Sequence, residues 1–488
     1  MKTIAEIKNA RNYINGEWRD SCGNESREVV NPATGGVIGK VTFSTAEEID
    51  SAVKAARGAF PEWRATPPMS RARYMFKLKN LLEERFEDLA KLCTTEVGKT
   101  LEESRGEVRR GIEVVDVMAG APSLMKGQAL EDIAAGLDCA VFRQPVGVFA
   151  CIAPFNFPFM VPLWFLPPAI ATGNTFIIKP SEAVPLSQQL MFEILEELNL
   201  PPGVVNLVNG GKDAVNAILS HPDVNGVSFV GATATAKHVY LEAARHGKRV
   251  QALGGAKNFI VIMPDAVIAP AVNALIGSCF GCAGQRCLAG SNLITVGDVH
   301  DKLRDALLEK ARSIKVGNGL DPSVQMGPLS SKKAKERTLN YIETGIKEGA
   351  KLLLDGRQVK VDGHPGGFYA GLTIFDEVSP KMAIAREEIF GPVVNIIRAG
   401  SFDEAMRMAE ASPYANAGSI FTSSGKWARE FGYRVPASMC GINIGIAAPM
   451  SCFSFGGARN SFFGDLKAHG QESIDFYTDR KVISARWF

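Results

Sequence analysis

The chain has 488 residues, 46% apolar and 22% charged, a size and balance that bury large cores and exclude a disordered or fibrous protein. Its 54 Lys and Arg nearly cancel 52 Asp and Glu, leaving a net charge of +2 with no dense basic run, which excludes the electrostatic footprint of a nucleic-acid binder. The expected partners are small molecules or further copies of the chain, with no nucleic acid and no membrane.

The opening stretch MKTIAEIKNARNYINGEW holds no apolar core of signal-peptide length and is not rich in Arg and Ser, so the cytoplasm is the expected compartment. The segment AEEIDSAVKAARGAFPEW (46–63) is patterned as an amphipathic helix with one face for a core. Segment 125–145 reads as extended chain with alternating polar residues. From about residue 145, short β-rich runs alternate with helical patterns. They are VGVFACIAP, an apolar helix near 161–172, NTFIIKP, LSQQLMFEILEELNL, GVVNLV, GVSFV at 226–230, a helix across 234–246 and FIVIM at 259–263. The apolar stretch 157–173 is long enough to raise a membrane question, but Pro158, Pro162, Pro167 and Pro168 would break a lipid-spanning helix, so it reads as buried core.

A second series follows: a helix running into Cys287, the strand SNLITV, a charged helix from about 300 to 314, and further units to about 445. Strands punctuated by helices imply parallel, doubly wound sheets, so the fold class is α/β with two such domains. The tail IDFYTDRKVISARWF is again extended, and a terminal strand of that kind pairs with something, an oligomer interface included. Nine cysteines are scattered without secretory signals and are expected to be reduced.

The stretch FGCAGQRCLAG (280–290) concentrates the chemistry. Three readings of Cys287 are open. It is a core thiol, as most cysteines in such a chain are. It joins Cys279 and Cys282 around a metal, although no fourth ligand is near and the histidines are dispersed, so no metal is expected. Or it is a nucleophile, with Arg286 favouring the thiolate and Gly281, Ala283 and Gly284 leaving room for a substrate. A nucleophile needs an oxyanion donor, and Asn156 in APFNFP is available, unless it is only a turn residue. Lys179 and Glu182 in NTFIIKPSE stand at a strand end, as surface residues or as contacts for ribose hydroxyls. The fingerprint G-x-G-x-x-G is absent.

In order and over nearly the whole chain, PFNFP (154–158), KPSE (179–182), FVGATATA (229–236), LGGAKN (253–258), GQRC (284–287) and EEIFGPV (387–393) resemble the aldehyde dehydrogenase superfamily. The resemblance implies that Cys287 attacks the aldehyde carbon while Asn156 and the Cys287 N–H hold the oxyanion, and that hydride passes to NAD, leaving a thioester. Cofactor positions implied by it are Ala153, Phe155, Lys179, Glu182, Gly231, Ala232, Glu388 and Phe390. A glutamate at Glu182 suits free ribose hydroxyls, since a 2′-phosphate would be repelled. Ala232 and Ala236 stand where serine and glycine are usual.

Hydrolytic members carry a water-activating glutamate where this chain has Leu253, or Ala252 when the alignment slides by one, neither a carboxylate, and without such a base hydrolysis slows about 10² to 10⁴-fold. A thiol acceptor such as coenzyme A evades that need. Together with RRGIEVVDVMAGAPSLMKG (109–127) and SFFGDLKAHGQESIDFYT (461–478), this resembles the CoA-acylating, methylmalonate-semialdehyde (malonate-semialdehyde) branch. The resemblance implies a carboxylate-bearing substrate, for which Arg286, adjacent to Cys287 in sequence, is a suitable cation; it gives Arg110 as the second clamp, with Arg109 an equal candidate for the inward position, and implies a homodimer or homotetramer. Phe259 stands where the branch usually has histidine. The implied domains are NAD-binding (1–123 and 145–254), catalytic (255–446) and a small β oligomerisation domain (124–144 and 467–488). A non-acylating aldehyde dehydrogenase and a silent member of the fold are the rival readings.

Overall fold

The β-rich runs pair as neighbours in two large sheets in the computed structural model, which describes residues 9–488. Residues 1–8, counted with the first domain in the sequence reading, lie outside the described residues. In the first sheet the strands Arg249–Leu253, Val224–Val230, Val148–Ile152, Thr175–Lys179 and Val205–Leu207 run parallel in that spatial order. Phe462–Gly464 closes one edge antiparallel, and Asn12–Ile14 with Glu17–Arg19 closes the other. The chain leaves Val148–Ile152 toward one side and later returns to place Val224–Val230 on the other. That reversal makes a crevice at the carboxyl ends of these two strands, where open α/β sheets bind ligands.

Both faces of this sheet are covered. The helix Ala46–Ala65 starts on a capping box, Thr45 with Glu48, and packs Ile49, Ala52, Val53 and Ala56 with Val148, Ala150 and Ile177. On the opposite face the helix Met160–Thr172 is buried nearly along its whole length, in keeping with its uniformly apolar sequence. Pro167 and Pro168 sit inside it, where buried neighbours hold the turn. Among the described residues no helix is long and apolar enough to cross a membrane.

The second sheet has the order Lys351–Leu354, Thr373–Asp376, Val393–Ala399, Gly290–Val296, Asn258–Ile262, Ala417–Phe421 and Met439–Ile442, parallel except at its first strand. Only residues 254–257 separate the end of Leu253 in the first sheet from the start of Asn258 in the second. The carboxyl edge of one sheet therefore faces the amino edge of the other, and the loops of both edges meet.

A third, antiparallel sheet joins Ala129–Ala134, Leu137–Pro145 and Thr478–Arg486. The sequence reading gave the whole of 467–488 to this unit, but the helix Gly470–Tyr477 belongs to the first core. Tyr477 is fully buried, with its ring 4.7 Å from Phe149, and burial of that size outweighs the pull of the following strand.

Candidate active site

The sequence reading ran a helix into Cys287; the structure ends that helix, Ile268–Phe280, seven residues earlier. Cys282 and Ala283 then take left-handed backbone angles, both with φ of 51°, followed by Gly284 at 71°. Each non-glycine residue there costs roughly 1–2 kcal/mol, so the loop is held by its surroundings. The Cys282 N–H donates to Glu103 Oε1 at 2.6 Å. A Cβ on Gly284 would stand 2.2 Å from the Gly391 carbonyl oxygen, so only glycine fits.

Cys287 is half-buried on the wall of a 380 Å³ cavity that also takes in Arg110, Trp164, Arg286, Phe455 and His469. Its carbonyl accepts from two side-chain amides, Asn258 Nδ2 and Asn416 Nδ2, each at 2.8 Å. Burial, then the charge of Glu388, pushes its thiol up to about 12, against smaller downward pulls that include Arg286. The sequence argument that Arg286 favours the thiolate has the right sign but is outweighed. The Arg286 guanidinium is already engaged: Nε donates to Cys282 Sγ at 3.2 Å, Nη1 to the Gly277 carbonyl at 3.1 Å, and Nη2 reaches Glu103 Oε1 at 3.4 Å.

Asn156 lies on the loop after Val148–Ile152, buried, and its Nδ2 donates to the Gln285 carbonyl at 3.0 Å. Its own carbonyl accepts from Lys99 Nζ at 2.8 Å, and Lys99 is ion-paired with Glu107 in the interior. Glu107 Oε1 in turn accepts from the Phe159 and Met160 N–H groups. A buried ion pair thus fixes the middle of the Asn156 loop and its junction with the helix Met160–Thr172. Of the two adjacent arginines, Arg109 turns outward to Glu83 at 2.5 Å and 2.9 Å. Arg110 lines the cavity, with Nη1 on Glu113 at 2.9 Å and Nη2 on the Pro449 carbonyl at 3.0 Å.

A second, larger cleft of 690 Å³ is lined by Phe155, Ser181, Glu182, Arg337 and Tyr341. Phe155 and Phe390 meet edge to face with centroids 5.9 Å apart. Lys179 Nζ donates to the Gly210 carbonyl at 2.7 Å and stands 3.8 Å from Glu182 Oε2, while Glu182 Oε1 accepts from Arg27 at 3.3 Å. Ala153 is buried at the strand end, its N–H donating to the Lys179 carbonyl at 3.0 Å. Gly231 continues from the strand Val224–Val230, and Ala232 is the N-cap of the helix Thr233–Arg245 with no side chain to cap it. Uncapped N–H groups at such a terminus are suited to a phosphate. Glu388 Oε1 accepts from the Ala256 N–H at 2.9 Å, and burial raises the carboxyl's pKa. Beside it, burial brings the Lys257 ammonium down to about 7. Leu253 is buried at the end of its strand and supplies no carboxylate.

This arrangement, a thiol on a strained loop at the wall of a small cavity, with a larger cleft that takes in Phe155 and Glu182 of the expected cofactor residues, is matched along the chain by a known family. The Aldehyde dehydrogenase family profile covers residues 18–483. The chain belongs to the aldehyde dehydrogenase family. Among curated relatives, malonate-semialdehyde dehydrogenase 1 of Geobacillus thermodenitrificans is 48% identical over 482 residues, 99% of each chain. The protein named malonate-semialdehyde dehydrogenase 1 in Oceanobacillus iheyensis is 46% identical over 484 residues, again 99% of each. A methylmalonate-semialdehyde dehydrogenase structure from Oceanimonas doudoroffii superposes with a TM-score of 0.97 at 42% identity, covering 99% of both chains. A candidate methylmalonate-semialdehyde dehydrogenase from Sinorhizobium meliloti 1021, solved in complex with NAD, gives the same TM-score, identity and coverage.

Several residues of this aldehyde dehydrogenase site were not singled out from sequence. Glu107 was within reach: Ser104, Glu107, Val108, Gly111, Ile112 and Val115 recur at helical spacing on the buried face of Leu101–Ala119, and a carboxylate in that stripe needs a partner. Lys99 and Asn416 carry no comparable signal, because only the folded chain brings them to the loops they hold.

Proposed function

We propose that this aldehyde dehydrogenase oxidises malonate semialdehyde or its methyl derivative with NAD and passes the acyl group from Cys287 to coenzyme A with loss of carbon dioxide. The observation that carries the reading is the cavity: the thiol of Cys287 opens into a space of 380 Å³ with a guanidinium, Arg110, on its wall. A three-carbon aldehyde ending in a carboxylate suits that volume and the Arg110 cation; of the glutamates on the same wall, Glu103 pairs with Arg286, Glu107 with Lys99 and Glu102 with Arg105. The names of the relatives above support the same substrate class.

The residues present fit a dinucleotide. The uncapped terminus at Ala232 and Gly231 suits the pyrophosphate, Lys179 and Glu182 a ribose with free hydroxyls, and Glu388, Phe155 and Phe390 the nicotinamide end. When bound, NAD supplies the hydride acceptor.

In the reaction, Cys287 Sγ loses its proton and forms a bond to the aldehyde carbon. The developing oxyanion is met by the Cys287 N–H and the Asn156 amide, two neutral donors. Loss of hydride from that carbon leaves a thioester on Cys287. Neither Leu253 nor Ala252, the two positions that match the base of hydrolytic relatives, carries a carboxylate, so water is not activated there and a thiol acceptor takes the acyl group. With the carboxylate β to the thioester carbonyl, loss of carbon dioxide places a proton on the adjacent carbon. For malonate semialdehyde the balance is semialdehyde, NAD⁺ and coenzyme A giving acetyl-coenzyme A, carbon dioxide and NADH.

The small sheet leaves Leu130, Phe142, Val482 and Trp487 exposed, which supports a homodimer or homotetramer assembled through it. Nine free cysteines suit a reducing compartment such as the cytoplasm. The decisive experiment measures NADH from malonate semialdehyde and from methylmalonate semialdehyde with and without coenzyme A, with the acyl product identified by mass. Acetyl- or propionyl-coenzyme A formed only with coenzyme A supports the proposal. Coenzyme-A-independent turnover to a free acid overturns it in favour of a non-acylating enzyme.

A further inference from the structure

Gln285 stands two residues before Cys287 and is 2% exposed, too deep to meet a substrate. Its side chain makes a two-point contact with Ser330: Oε1 accepts from the Ser330 N–H at 3.0 Å and Nε2 donates to Ser330 Oγ at 3.2 Å. A backbone N–H can only donate, which fixes the end of the amide that is the oxygen. Ser330 adjoins Ser331, the N-cap of the helix Lys332–Lys347, so the anchor is part of a regular element. The Gln285 main chain is held as well, its N–H donating to the Cys282 carbonyl at 2.9 Å.

The residue anchored in this way supplies the carbonyl that accepts from Asn156 Nδ2 at 3.0 Å. Lys99 grips the Asn156 backbone carbonyl at 2.8 Å, but that contact leaves the side-chain torsions of the asparagine free. Among the described residues the Gln285 carbonyl is the one hydrogen-bond partner of the Asn156 side chain, and so the contact that sets its orientation. A primary amide has two N–H donors. With one given to Gln285, the other is left for a second acceptor.

We propose that Gln285 is a positioning residue of the oxyanion site: its hydrogen bonds to Ser330 hold in place the carbonyl that orients the Asn156 amide, leaving the second N–H of that amide for the oxyanion. This rests on the reading of Cys287 as nucleophile and Asn156 as oxyanion donor given above, and it is independent of which aldehyde is the substrate.

The test compares two reactions of Cys287 in the full-length protein without NAD or coenzyme A, each followed by mass on the Cys287 peptide. Acetylation by p-nitrophenyl acetate forms a bond from Sγ to the acetyl carbon, passes through an oxyanion and releases p-nitrophenolate. Alkylation by iodoacetamide displaces iodide and involves no oxyanion. The variants are Gln285→Met, which keeps the length and loses both hydrogen bonds to Ser330, and Ser330→Ala, which loses one and stands in if the methionine variant does not fold. The expected result is acetylation slower by about 10- to 100-fold in Gln285→Met, less than the full loss of an oxyanion donor, and by about 3- to 10-fold in Ser330→Ala. Alkylation should stay within about 3-fold of wild type in both. In an Asn156→Ala background, Gln285→Met should change acetylation by no more than about 3-fold, because the group it orients is gone. Both reactions slowed by the same factor, or an undiminished loss in the Asn156→Ala background, overturns the proposal and leaves Gln285 as a support of the thiol loop. Acetylation at the wild-type rate in both variants overturns it as well. Asn156→Ala acetylating like wild type, or a wild-type Cys287 that the ester does not acetylate, overturns the underlying reading of the site, and this proposal with it.

Discussion

The side-chain amide of Asn156 donates to the carbonyl of Gln285 at 3.0 Å, two residues before Cys287. The loop leaving the first sheet is thereby pinned to the loop that carries the thiol in the second. One side chain both joins the two halves of the site and carries the amide assigned to the oxyanion.

Replacing it tests that double use. Asn156→Ala is expected to lower kcat by about 10² to 10³-fold, the usual consequence of losing one oxyanion donor. Steady-state NADH formation at saturating substrate checks this, and a kcat within a few-fold of wild type would remove Asn156 from the chemistry.

Lys99 and Glu107 are an ion pair with 1% and 0% of their side chains exposed. Lys99→Met leaves Glu107 as an unpaired buried charge and frees the Asn156 carbonyl, so stability should fall by about 3 to 5 kcal/mol. Urea unfolding followed by tryptophan fluorescence measures it. A double replacement, Lys99→Met with Glu107→Leu, should recover part of the loss, because it removes the stranded charge.

Glu388 raises the Cys287 pKa, second only to burial. A nearby negative charge disfavours the thiolate, so Glu388→Gln should shift the thiol pKa downward by about one unit. The rate of Cys287 alkylation by iodoacetamide against pH in the absence of substrates, followed by mass on the Cys287 peptide so that exposed Cys22, Cys440 and Cys452 do not contribute, reads this. Its rising limb should move to lower pH, with faster alkylation at pH 8. An unmoved profile would mean the carboxylate does not sense the sulfur.

Arg110 lines the cavity with its guanidinium on Glu113, Met450 Sδ and the Pro449 carbonyl, and is the proposed partner of the substrate carboxylate. Arg110→Met is expected to reduce kcat/KM for malonate semialdehyde about 10- to 100-fold, chiefly through KM. Arg109→Met, which removes an outward pair with Glu83, should stay within a few-fold of wild type in the same assay.

Gly284 holds φ of 71° with the Gly391 carbonyl against its missing side chain. Gly284→Ala should displace the nucleophile loop. The expected signature is a protein that remains folded by circular dichroism but alkylates at Cys287 with altered kinetics and has lost most of its turnover.

The sequence by itself determined the two parallel sheets, because their strands are continuous apolar runs such as TFIIK and NFIVI separated by helical periodicity, and both signals are local. It also singled out Cys287 as the candidate nucleophile, and it leaves no carboxylate at Leu253 or Ala252, through ordered motifs that resemble the aldehyde dehydrogenase family. Tertiary structure decided the rest. It turned Arg110 inward and Arg109 outward, spent the charge of Arg286 on Glu103 and its Nε on Cys282, and assigned Gly470–Tyr477 to the first core. It brought His469 to the cavity from 182 positions beyond Cys287. Adjacent residues on a helix point in directions about 100° apart, and the partner that satisfies or strands a charge comes from a distant segment. Which of two neighbouring side chains meets a ligand is therefore settled only when the sheets face each other.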